Sequence, residues 1–109
     1  MKILVDRKAI LEEILSIEVQ IKSMRREPTY LKINRNLNHL EARRYGRDTV
    51  HVASPDNLEK TLELKNRSPE MRETISRYKE MQYNFEVQID NLYVEKARLQ
   101  DLLFARVHD

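Results

Sequence analysis

The 109-residue chain combines 35% charged with 40% hydrophobic residues, has one glycine, and has neither cysteine nor tryptophan. This composition suits a helical protein of one domain's length and excludes disulfide scaffolds, thiolate metal sites and glycine-rich phosphate loops. The net charge of +2 is unevenly spread: residues 22–51 carry +5 and residues 69–109 carry −2, so an anionic partner is expected to meet the middle of the chain.

Met1-Lys2-Ile3-Leu4-Val5 runs straight into Asp6, Arg7 and Lys8, which is no signal-peptide core, and no apolar run is long enough to span a bilayer. With no cysteine, the expectation is a cytoplasmic protein without a membrane role.

From Asp6 the pattern turns helical. Ile10, Ile14, Ile17, Ile21 and Met24 recur in steps of four and three, a heptad seam. Asp6 suits an N-cap, and the acids Glu12 and Glu13 precede the bases Lys22, Arg25 and Arg26, as the helix dipole favours. Leu11, Leu15 and Val19 add a second apolar row, so this helix has two faces to cover. Pro28 ends it by pushing the preceding backbone away from helix, which gives a first helix over 6–26.

Residues 27–67 form a basic insertion. Tyr30, Ile33, Leu37 and Leu40 keep helical spacing, but Asn34, Asn36 and Asn38 are weak helix formers. A helix is expected over 36–44, while 29–35 is left open between helix and a short strand carrying Leu31 and Ile33 on one face. Gly46, after Arg43-Arg44-Tyr45, reads as a helix stop. Thr49–Ala53 alternates with β-branched residues and reads as a strand, pairing with 30–34 or with a second copy. Ser54-Pro55-Asp56 has the cap, proline, acid order of a helix start and predicts a short helix with Leu58 and Leu62 on one side, broken at Asn66-Arg67.

Ser68-Pro69-Glu70 repeats that order before 38 residues, 70–107, free of glycine and proline. A helix over 69–107 would extend about 57 Å. Its seam is Met71, Ile75, Tyr78, Phe85, Ile89, Leu92, Leu99 and Leu103, interrupted by Gln82 and Lys96; Tyr83, Val87, Val94, Ala97 and Phe104 form a second row. The predicted architecture is all-α over 1–109, leaving room for a minor β element at 49–53. It is an antiparallel helical hairpin or coiled coil with an inserted subdomain, assembling as an oligomeric bundle. A homodimer is the default by symmetry. Ile10, Ile14, Ile17, Ile21, Phe85, Ile89, Leu92 and Leu99 are its expected interface, with Gln82 and Lys96 fixing register.

The chemistry is sought in the basic segment. Arg25, Arg26, Lys32, Arg35, Arg43, Arg44 and Arg47 offer phosphate contacts, Tyr30 and Tyr45 offer stacking faces, and His39 lies among them. The same run also reads as a solvated face with some arginines paired to Glu27, Glu41 and Asp48. His39, His51 and His108 lack the offsets of a metal site. Glu12 and Glu13 diverge around their helix, Ser54 and Ser68 are explained as caps, and no catalytic motif is present. The expectation is therefore a non-enzymatic protein with no cofactor or metal, binding nucleic acid or a nucleotide. The alternative is an adaptor or inhibitor, of the size of a viral or regulatory accessory factor, docking on another protein through its basic insertion or second helix face.

Overall fold

The computed structural model describes residues 6–107, so Met1–Val5, His108 and Asp109 lie outside it. The chain forms α1 (Arg7–Arg25), α2 (Pro28–Arg43), β1 (Thr49–Ala53), β2 (Thr61–Lys65) and α3 (Pro69–Val107). It is mostly helical with one two-stranded antiparallel sheet. Two compact units result: residues 27–85, and residues 1–26 together with 86–109.

In the second of these, α1 starts where Asp6 accepts a hydrogen bond from the Lys8 amide at 3.0 Å. Ile10, Ile14, Ile17 and Ile21 are all buried, as are Ile89 and Leu99 of α3, with Leu92 and Leu103 half-buried. α1 runs antiparallel to this part of α3: Glu18 pairs with Lys96 at 3.1 Å and the Arg25 guanidinium lies 5.3 Å from the centre of the Tyr93 ring. The isoleucine seam thus packs inside a single chain. Lys96, a break in the α3 seam, finds its counter-charge there too.

The unit of residues 27–85 holds the principal core. Ile33, Leu37 and Leu40 of α2, Val50 and Val52 of β1, Leu64 of β2, and Met71, Ile75 and Tyr78 of α3 form one buried cluster. Phe85 packs at its edge, stacked on Tyr30 with ring centroids 5.1 Å apart. α2 is helical through 29–35, which removes the strand alternative. Two of its asparagines are the reason the helix tolerates them: Asn34 accepts from Gln82 at 2.8 Å, and Asn36 donates to the Tyr78 hydroxyl at 3.1 Å. Poor propensity is outweighed by tertiary hydrogen bonds. Gln82, the other break in the α3 seam, is likewise satisfied within the chain.

The expected short helix after Ser54 does not form. Ser54 Oγ accepts from the Asp56 amide, the Lys60 amide donates to the Asn57 carbonyl, and the Ser54 amide donates to the Lys60 carbonyl. These bonds close a hairpin loop, and Thr61–Lys65 pairs with β1 in the register Val50–Leu64 and Val52–Leu62. Leu62 and Leu64 face the core by the period of two, not by a helical repeat. The partner of β1 is therefore β2, not 30–34 or a second copy. The same tripeptide order at Ser68 does start a helix, because Ser68 Oγ accepts from the Met71 amide at 3.1 Å and apolar helical spacing continues beyond it.

Tyr78 is fully buried; its hydroxyl donates to the Ala53 carbonyl while accepting from Asn36. Burial raises its pKa above the usual phenol value, outweighing the Asn36 bond, which lowers it. The neutral phenol is thus the folded-state form. Its contribution is complete below pH of about 10 and is lost as pH rises through the raised folded value, because the unfolded phenol ionises first. Tyr78→Phe is expected to cost about 1–3 kcal/mol in urea denaturation near neutrality. The variant should also lose less stability than the parent above pH of about 10.

Candidate functional site

A concavity of about 520 Å³ lies in the unit of residues 27–85, between the α2–β1 connection and the first turns of α3. Arg44, Tyr45, Arg67, Met71, Arg72, Ile75, Ser76 and Lys79 line it. Helical geometry explains the α3 side. Met71 and Ile75 belong to the core ridge and form an apolar floor, and Arg72, Ser76 and Lys79 follow at offsets of four and seven along the adjoining row.

The opposite side is shaped by two close approaches. Gly46 lies where an added Cβ would come within 3.0 Å of the Asn66 amide nitrogen and 3.3 Å of the Arg43 carbonyl. Its backbone is not left-handed, so glycine is used here for space and not for torsion. The left-handed residue is Arg67, with φ of 66°, at the turn between β2 and α3. Its guanidinium donates to the Tyr45 carbonyl at 2.9 Å, joining that turn to the α2–β1 connection. Arg44 lies over the Tyr45 ring, 4.8 Å from its centre.

The charge balance of the lining is one-sided. Of its four cations, Lys79 is paired with Glu41 at 3.2 Å; Arg44, Arg67 and Arg72 are in no ion pair among the described residues. Among the described residues no carboxylate lines the groove. Guanidiniums that share one cavity without counter-charges suit an anion there.

The sequence-predicted residues are only partly gathered here. Arg44 and Tyr45 line the groove. Lys32, Arg35, Arg43 and Arg47 are exposed outside its lining, and His39 is half-buried on α2. Tyr30 has its ring engaged by Phe85. Arg25 and Arg26 belong to the other unit. Sequence reasoning missed Arg67, Arg72, Ser76 and Lys79, which lie beyond the segment of excess positive charge. A signal did exist, in the acid-free row Arg72, Ser76, Lys79 flanking the Met71–Ile75 ridge.

Among the described residues no three histidine, cysteine or acidic side chains come together as a metal site, and no helix is long and apolar enough to cross a membrane. Comparison with protein-family models, curated proteins and solved structures found no match to this chain.

Arg67 carries two separable roles, one in its backbone and one in its guanidinium. Arg67→Gly and Arg67→Ala both remove the bond to Tyr45, but glycine also removes the left-handed backbone penalty. Arg67→Gly is expected to unfold at a free energy about 1 kcal/mol higher than Arg67→Ala, measured by urea denaturation; equal stabilities would show that the turn relaxes freely.

Proposed function

We propose that this protein is a non-enzymatic binding module whose groove takes a phosphate-bearing ligand, nucleic acid or nucleotide. The observation that carries the reading is the convergence of Arg44, Arg67 and Arg72, none of them in an ion pair among the described residues, on one concavity with no acidic lining. Guanidiniums match phosphate oxygens bidentately, and Tyr45 supplies an aromatic face beside them.

The test is fluorescence anisotropy with labelled single- and double-stranded DNA and RNA and with nucleotides, across a salt series. Arg44→Ala and Arg72→Ala are each expected to weaken binding about tenfold or more, the worth of a charge-assisted hydrogen bond. Arg43→Ala and Arg35→Ala, outside the groove, should change it little. Affinity should fall steeply with salt. If the two outside variants weaken binding as much as the two inside ones, the groove is not the site.

A second reading, assembly with another copy, is favoured by a different observation. Leu15 and Val19 on α1 are 60% and 66% exposed, and Val94 on α3 is 69% exposed. α1 is acidic at Glu12 and Glu13 and basic at Lys22, Arg25 and Arg26, so two copies laid antiparallel would match Leu15 with Val19 and acids with bases. Because Ile17 is already buried within the chain, the exposed row is the place to test this. Leu15→Lys with Val19→Lys is expected to convert a dimer to a monomer in sedimentation velocity without loss of helicity. A parent protein that sediments as a monomer at high concentration rejects the reading.

A further inference from the structure

We infer that the groove's ligand is a nucleoside di- or triphosphate and not a nucleic-acid strand. This rests on the phosphate reading above and narrows it. Three features of the lining carry the step.

The first is the amount and focus of charge. Arg44, Arg67 and Arg72 are three cations without ion-pair partners among the described residues, and Lys79 is a fourth whose charge Glu41 already offsets. They converge on one cavity. A nucleic-acid strand carries one negative charge per phosphate and is held by cations spread along a track. A polyphosphate concentrates several negative charges on a short group, which matches several guanidiniums meeting at one place.

The second is the apolar floor. Met71 and Ile75, core residues only 1% and 8% exposed, close the bottom of the groove with apolar atoms on which a bare phosphate or polyphosphate gains nothing. A ligand that gains from this surface needs a body that is largely apolar or aromatic. Tyr45 strengthens the requirement: the residue is in the lining and 70% exposed, with the Arg44 guanidinium over its ring at 4.8 Å from the centre. With Arg44 over one face of the ring, the other face is the platform for a nucleobase.

The third is size. The volume of about 520 Å³ is within the range of small-ligand pockets. Arg72 and Lys79 are seven residues apart on α3, about 10 Å along its axis. That is the scale of one nucleotide. In this arrangement Arg67 and Arg72 take the phosphates at the start of α3, Ser76 offers a hydroxyl to the sugar, and Tyr45 with the Met71–Ile75 floor takes the base.

The experiment is isothermal titration calorimetry of the full chain with ATP, GTP, ADP, tripolyphosphate, adenosine and a twelve-nucleotide single strand of mixed sequence, at low and moderate salt. The nucleoside triphosphates are expected to bind about tenfold or more tightly than tripolyphosphate, since stacking on an aromatic side chain adds that much, and adenosine is expected not to bind measurably. Tyr45→Ala should abolish the advantage of ATP over tripolyphosphate while leaving tripolyphosphate unchanged, and Tyr45→Phe should keep it. Tyr45 is exposed, so circular dichroism of both variants should match the parent. Tripolyphosphate binding as tightly as ATP overturns the nucleotide assignment but leaves the phosphate reading standing. A twelve-nucleotide strand that binds more tightly than every mononucleotide overturns it in favour of nucleic acid. No heat from any polyanion at low salt ends the phosphate reading itself.

Discussion

The phenol of Tyr78 is the point on which the unit of residues 27–85 depends. A long amphipathic side chain on α3 reaches the bottom of the core, and its hydroxyl would be costly there without partners. It has two, one from each neighbouring layer: the Ala53 carbonyl at the end of β1 and the Asn36 amide on α2. Apolar packing alone tolerates sliding, since Ile, Leu and Val side chains have no preferred partner. A buried hydroxyl bonded on both sides does not, because a shift of one residue on any of the three elements leaves a polar group unpaired. The sheet, α2 and α3 are therefore held in one register, and the groove at the start of α3 inherits that register.

The same logic explains why the groove has a defined shape although its cations are exposed. Its floor, Met71 and Ile75, is also core. Its far side is held by the Arg67–Tyr45 bond and by the close fit of Gly46 against Asn66. Backbone in the left-handed region at a non-glycine residue is paid for only where surrounding contacts over-determine it. Here the guanidinium it presents is one of the groove's own cations.

Much of this fold was legible before any coordinates. The caps at Asp6 and Ser68, the isoleucine seam of α1, the unbroken α3 and the strand at Thr49–Ala53 follow from residue types at fixed spacing. β2 was obscured because Leu58 and Leu62 satisfy a helical offset of four, while Thr61-Leu62-Glu63-Leu64-Lys65 satisfies an alternation of two. The loop bonds of Ser54 and Asn57 and the need of β1 for a partner decide between them. The polar breaks in the α3 seam suggested register between copies; Gln82 and Lys96 instead meet Asn34 and Glu18 of the same chain. The groove was half legible. Counting charge along the sequence finds Arg44 and Tyr45, but Arg67 and Arg72 sit in stretches of balanced or negative charge and join the site only through the fold.

The division of the chain has a consequence for the order of events during synthesis. Residues 27–85 are contiguous, and their β-hairpin closes over a short loop, which is entropically cheap. The other unit is assembled from two distant stretches: α1 is made before residues 27–85, but the Ile89 and Leu99 side of its packing is translated only after them. Until then the isoleucine face of α1 has no intramolecular cover. A nascent chain stalled before α3 is finished would thus present a bare, β-branched apolar seam, and that interval is when this protein is most open to association with whatever apolar surface lies nearby.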